Sequence, residues 1–175
     1  MFSDPAKNIE QFGLSKGMFV ADFGAGSGFY AMSAAKAVGD KGRIYAIDVQ
    51  KDLLQRIKNQ ANTERMPNIE IIWGDVEKIG GTKLKDDSID AVIIANILFQ
   101  AAEKNNICLE ATRILKRGGR ALVVDWRDSF GGLGPKQSDV FSSSVAKEIF
   151  QKNNFALERE FNAGEHHYGL IFKKQ

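Results

Sequence analysis

The chain has one cysteine, Cys108, and that scarcity excludes an internal disulfide framework and any metal site built from several thiolates. It also lacks a marked excess of charge of either sign. With 24 Lys and Arg against 22 Asp and Glu, the formal charge of +2 offers no strong nucleic-acid signal, since a dedicated nucleic-acid surface shows a strong basic excess. No segment resembles a membrane span and nothing at the N-terminus resembles a signal peptide, so a soluble, cytoplasmic protein with no membrane partner is expected. Repeats, low-complexity runs and linkers are missing too. What is there is a chain of 175 residues with 43% hydrophobic content. That is enough to bury a core and too little for two, so residues 1–175 are expected to form a single domain.

The chain is organised around Val20 to Tyr30. Met18 to Ala21 is a short apolar run of the kind a central parallel strand carries when covered on both faces, and Asp22 closes it with a charge. Gly24, Gly26 and Gly28 then remove the Cβ atoms that would keep a ligand off the backbone and permit the positive φ of a tight turn. A run of good helix formers follows, from Tyr30 to Val38, so unpaired amides of its first turn face the same spot.

Glycine spacing decides between ligands. A dinucleotide site has G-x-G-x-x-G with a pyrophosphate at the helix start. Here the pattern is G-x-G-x-G, and Asp22 just ahead of the turn is a poor neighbour for phosphate but suits an ammonium group. Asp48, ending the next strand Arg43 to Ile47, stands at the right distance to take both hydroxyls of a ribose. A nucleoside with a cationic tail and no phosphates fits both acids, and S-adenosyl-L-methionine is such a molecule.

With that ligand in view, Asp22-Phe23-Gly24-Ala25-Gly26-Ser27-Gly28 resembles the first motif of the class I S-adenosylmethionine-dependent methyltransferases, with Asp48 where their ribose-binding acid falls. Ile71 to Val76 resembles their third-strand segment, whose acid contacts the adenine. Asp90 to Asn96 resembles their fourth strand, and Leu115-Lys116-Arg117-Gly118-Gly119 resembles the turn before the fifth. The stretch from Asp4 to Met18 and the ending Tyr168 to Phe172 are most similar to the small ubiquinone/menaquinone-biosynthesis-type branch. The resemblance implies a Rossmann-like, doubly wound α/β fold with a seven-stranded, mostly parallel sheet and a reversed strand near one edge. It also implies that residues 1–17 lie over the cofactor and help form the substrate entrance. The cofactor set is then Asp22, Gly24, Ala25, Gly26, Gly28, Asp48, Val49, Asp75, Val76 and Asn96. For Asp75 alone a helix-capping role competes evenly.

The pattern along the chain agrees with that fold class. Strands are expected near 18–22, 43–47, 69–73, 89–95 and 120–125, with helices near 28–38, 51–61, 101–115 and 142–153. Pro5 after Asp4 starts a short helix at the N-terminus. Gly39 to Gly42 and Lys116 to Gly119 read as turns, and Ala156 to Phe161 with His167 to Phe172 as a hairpin joined through Asn162 to Glu165.

The acceptor must be recognised by the first 17 residues, the loops after the fourth and fifth strands, and the hairpin. These carry Phe2, Phe12, Leu98, Phe99, Trp126, Phe130 and Tyr168, a mouth more aromatic than basic, which suits a small flat or apolar molecule. Tyr30, Phe99, Trp126, Arg127 and His166 are the substrate candidates, with His167 as the alternative to His166 beside Trp126. The glycine-rich loop Asp128 to Pro135 reads as a lid or as a passive connection. Asn96 to Phe99 lacks the proline pair that nucleobase-amine methyltransferases carry at this place. Cys108, among apolar residues in mid-helix, is core rather than nucleophile. Glu165, His166 and His167 do not make a metal site, since adjacent strand residues point to opposite faces. No catalytic residue is assigned, and a monomer or homodimer is expected. The competing readings are a cofactor-binding module without catalysis, aminopropyl transfer on the same fold, and an NAD-dependent oxidoreductase.

Overall fold

A computed structural model describes residues 3–132 and 134–175, which places Phe2 and Leu133 outside the described residues. The first helix, α1 (Pro5–Phe12), starts where Asp4 Oδ1 accepts the Lys7 amide at 3.2 Å and Pro5 fills the first helical position, and it stops at Gly13 in the left-handed region. Then β1 (Phe19–Phe23), α2 (Phe29–Val38), β2 (Arg43–Asp48), α3 (Lys51–Thr63), β3 (Ile69–Trp73), β4 (Ile89–Ala95), α4 (Lys104–Ile114), β5 (Leu115–Trp126), α5 (Ser143–Lys152), β6 (Phe155–Gly164) and β7 (His167–Lys174) follow.

The seven strands form one sheet in the order β3-β2-β1-β4-β5-β7-β6. All pairs are parallel except those of β7, which runs against both β5 and β6. Strand order reverses between β1 and β4, the crevice where open α/β sheets hold their ligands. The central strands are mostly apolar because both faces are covered, with Asp22 in β1 and Asp125 in β5 among the exceptions. Ile9 and Phe12 of α1, Ala31 of α2 and Ile57 of α3 pack with Ile93 and Leu122 in one core, while Cys108 of α4 and Ala146 and Phe150 of α5 pack with Phe23, Ile94 and Phe172 in the other. Phe150 and Phe172 are stacked at 4.7 Å between centroids. Each such fully buried ring contributes about 1.5–3 kcal/mol relative to exposure. Among the described residues no helix is long and apolar enough to cross a membrane.

Three boundaries differ from expectation for local reasons. Lys116 to Gly119 is not a turn but an irregular start to β5: Leu115 already pairs with Ile89, and the ladder resumes at Arg120 against Ala91. Helix α4 begins at Lys104 rather than 101, and the amide of the residue just before it, Glu103, is held by Glu77 Oε2 at 2.7 Å. The hairpin is longer than expected, with β6 reaching Gly164 and register shifts between Leu157 and Arg159 and between Asn162 and Gly164.

Candidate active site

The glycine turn joins β1 to α2 at the switch point and is suspended from β2. The Ala25 amide donates to Ile47 O and the Gly26 amide to Asp48 Oδ2, both at 2.9 Å. Gly24, Gly26 and Gly28 all have positive φ, as the spacing requires, but they do different work. At Gly24 a Cβ would lie 2.7 Å from Ile97 Cγ2, so this glycine lets the turn after β4 close onto the loop. At Gly26 nothing but Gly24 O, at 3.8 Å, lies within 4 Å, so the backbone there is bare towards the cavity. Gly28 is different again. Its missing Cβ makes room for Ile57 Cγ1 of α3, at 2.7 Å, and it does not line the cavity.

A cavity of about 790 Å³ opens over this turn. Its floor takes in Asp22, Gly24, Ala25, Gly26, Asp48, Val49, Asp75, Val76 and Asn96, every expected cofactor residue except Gly28. Asp48 is nearly buried, and its Oδ1 accepts the Gln50 amide at 2.9 Å, so one carboxylate fixes both the glycine turn and the start of α3. Asp75 lines the cavity while capping its own loop: Oδ1 accepts the Glu77 amide at 3.0 Å and Oδ2 meets Lys78 Nζ at 3.0 Å. The bond closes a turn rather than capping a helix, and the residue that makes it also lines the cavity.

Asp22 is the electrostatic centre. It is 2% exposed, and burial, with a further push from Asp48, raises its carboxyl to about 8 against the pull of the Ala31 amide. Among the described residues two buried oxygens of the cavity floor, Asp22 Oδ2 and Asn96 Oδ1, have no hydrogen-bond partner in the protein. Asn96 holds a left-handed φ of 58° with its amide fixed to Val124 O at 2.8 Å, a strained conformation of the kind kept at working sites. Unmet buried acceptors cost about 1–3 kcal/mol each, and a ligand that brings hydrogen-bond donors to them removes that cost. An ammonium beside Asp22 does so, while ribose hydroxyls would use the remaining lone pairs of Asp48, whose two oxygens each accept one backbone amide, and Gly26 gives the backbone room. The residues fit S-adenosylmethionine.

The far end of the cavity lies under α1. Ser3 and Pro5 border it, and Asn8, 2% exposed, ties the helix down by donating to Tyr30 Oη at 2.8 Å and to Ala163 O at 3.2 Å. Burial pushes the Tyr30 phenol up, with its hydrogen bonds to Ser3 and Asn8 acting the other way. Of the acceptor candidates, Tyr30 and Trp126 line the cavity; Phe99, Arg127 and His166 do not. The antiparallel register explains the last. Trp126 pairs with His167, so their rings share one face, 4.3 Å apart, and His167 rather than His166 joins the wall. His166 turns away to Asp128, 2.7 Å from Nδ1, and stacks on Phe130, while Arg127 Nη2 donates to His167 O at 2.7 Å. Phe12, Leu98 and Tyr168, expected at the mouth, are buried in the two cores, and Phe29, exposed at the start of α2, stands at the wall instead.

Glu77, Gln50, Leu53, Ile97 and Gln100 also line the cavity and were not singled out from the sequence. Their signal was position: each lies within a few residues of the end of β2, β3 or β4. Cys108 is fully buried in α4 and its thiol is pushed up to about 12 by burial, as befits a core residue.

Strand order, the single reversed strand and a bare glycine turn between Asp22 and Asp48 define a class I S-adenosylmethionine-dependent methyltransferase. The chain belongs to the methyltransferase-domain family, which matches residues 14–171, and S-adenosylmethionine is its cofactor. It is 29% identical over 138 residues to the ubiquinone/menaquinone biosynthesis C-methyltransferase UbiE of Hahella chejuensis, covering 78% of this chain and 54% of that one. It is 28% identical to the arsenite methyltransferase of Halobacterium salinarum over 64% of this chain and 28% of that one. The chain thus spans about half the length, or less, of these relatives. A solved SAM-dependent methyltransferase from Aquifex aeolicus superposes with a TM-score of 0.89 at 28% identity, over 99% of this chain and 91% of that one. The [4+2]-cyclase SpnF, with a TM-score of 0.82 at 16% identity over 97% of this chain and 79% of that one, shares the fold.

Proposed function

We propose that the protein transfers the methyl group of S-adenosylmethionine to a small, uncharged acceptor held between the glycine turn and the Trp126 end of the cavity. The observation that carries this reading is the charge of the wall. Among the described residues the lining includes four acids, Asp22, Asp48, Asp75 and Glu77, of which Asp22 ionises at neutral pH only with a cation beside it, and neither lysine nor arginine. Such a wall disfavours phosphate-bearing or otherwise anionic acceptors, and the carboxylates stand at the cofactor end, which leaves a neutral, partly aromatic end for the acceptor.

Asp22 holds the ammonium of the cofactor, Asp48 its ribose hydroxyls, and Asp75 with Val76 the base. When bound, the cofactor supplies a methyl group on a sulfonium, already activated for transfer. The protein's part is to hold the acceptor atom in line and exclude water, with Tyr30 and Trp126 as side walls and α1 as cover. A proton acceptor is required only for an acceptor protonated at neutral pH. The setting we propose is a monomer or homodimer in the cytoplasm, with Cys108 part of the buried core.

A turnover screen with S-adenosylmethionine against quinol, phenol, small amine, protein and RNA acceptors tests the proposal. Activity on small neutral acceptors that survives added salt is the expected result. Activity confined to RNA or protein and steeply lost with salt overturns it, and cofactor binding without turnover on any acceptor favours a binding module.

A further inference from the structure

The last acid of β5, Asp125, is fully buried, lines no part of the cavity, and lies within hydrogen-bonding distance of three backbone amides. Its Oδ2 accepts Leu98 N at 2.9 Å and Phe99 N at 3.3 Å, and its Oδ1 accepts Trp126 N at 2.8 Å. Leu98 and Phe99 belong to the turn after β4, which sends Ile97, Gln100 and Ala101 into the cavity wall. Trp126 is the wall at the acceptor end. Ile97 in turn rests where a Cβ of Gly24 would be, in contact with the glycine turn.

We propose that Asp125 is a positioning residue for methyl transfer: its carboxylate clamps the turns after β4 and β5 together, and so fixes the cavity wall from the glycine turn to Trp126. This rests on the methyl-transfer reading of the cavity.

The chemistry requires an ionised carboxylate. All three partners are N–H donors, so a group that only accepts satisfies them, whereas a protonated acid or a carboxamide sets a hydrogen against an amide hydrogen. The clamp is also placed to titrate. Burial pushes the carboxyl up to about 6 against the pull of the Trp126, Phe99 and Leu98 amides and of Lys104 on α4. Tyr168 on β7 is the other titratable group coupled to it, its own phenol raised by burial and by Asp125. Arg127 and Asp128 follow in the chain, and His167 lies one register position away on the opposite face of the sheet. Protonation below about 6 therefore loosens the wall, and the clamp is complete above it.

Amide resonances of the ¹⁵N-labelled full chain, followed from pH 7.5 to pH 5, test this directly. Leu98, Phe99 and Trp126 are expected to move together with one midpoint near 6, and the shared step is expected to vanish in Asp125→Asn. The same variant should bind S-adenosylhomocysteine about tenfold more weakly by calorimetry at pH 7.5. Three unrelated titrations, or a shared step that persists in Asp125→Asn, overturn the proposal. Unchanged S-adenosylhomocysteine affinity in a folded variant also overturns it. Should Asp125→Asn fail to fold, the wild-type titration decides alone. Should S-adenosylhomocysteine bind neither protein, the methyltransferase reading fails, and the three amides still decide whether the clamp exists.

Discussion

Asp22 couples proton binding to ligand binding. With its carboxyl raised to about 8 by burial, it is largely protonated in the free protein at pH 7, whereas an ammonium beside it favours the ionised form. Cofactor binding at pH 7 should release close to one proton, visible as a calorimetric enthalpy that depends on the ionisation heat of the buffer. Affinity should rise with pH and level off above about 8. In Asp22→Asn both effects should be absent. Asp48 acts differently, since it already accepts two backbone amides. Asp48→Ala releases the glycine turn and, in the proposed site, removes the ribose partner, so S-adenosylhomocysteine binding should weaken by about 1.5–3 kcal/mol and the melting temperature should fall with it. An unchanged dissociation constant removes Asp48 from the site.

Among the elements, the glycine turn separates packing from binding. Gly28→Ala places a methyl group against Ile57 at a positive φ and should cost about 1–3 kcal/mol in chemical denaturation, with a smaller effect on cofactor affinity, because Gly28 faces α3. A large loss of affinity at full stability is the opposite result. This division was not legible in the sequence. Spacing marked three glycines as one motif, and only the packing of α3 and of the turn after β4 assigns each its neighbour. By contrast, the central strands were readable because burial on both faces leaves an uninterrupted apolar run, as in Ala91 to Ala95. The Trp126 wall of the cavity was half readable. The hairpin put a histidine beside Trp126, but the choice between His166 and His167 turns on a one-residue register that alternation alone cannot fix. Residues brought to the cavity by tertiary ties, such as Ile97 through the buried Asp125, left no local trace.

For the whole molecule, two sets of shifted carboxyls oppose each other with pH. Glu110 is fully buried; burial alone would raise its carboxyl, but Arg113, Thr82 and the amides of Gly80 and Thr82 hold it at about 2. Its stabilising contribution is present above its ordinary value of 4.5 and is lost as pH falls through about 2. Asp125 and Asp22, raised to about 6 and about 8, contribute stability that is full below 3.8 and is lost as pH rises through those values. The free protein should therefore have a higher urea midpoint at pH 5 than at pH 8. S-adenosylhomocysteine should narrow or reverse that order, by placing a cation against the ionised Asp22. Glu110→Gln, which leaves Arg113 without its buried partner, should cost about 3–5 kcal/mol at pH 7.

The reversed strand has a consequence for the order in which the protein can be made. Strands β5 and β6 are not neighbours; β7, which follows both in the chain, slides between them, and helix α1 docks partly on Ala163, just ahead of it. Until β7 emerges from the ribosome, β5 is an open edge and β6 has no partner, so the nascent chain carries exposed strand edges of the kind that invite aggregation. The Trp126 wall closes with that late step, since His167 is the first residue of β7. A ribosome-bound chain that stops before His167 can hold a formed glycine turn, but it has no finished chamber in which to use it.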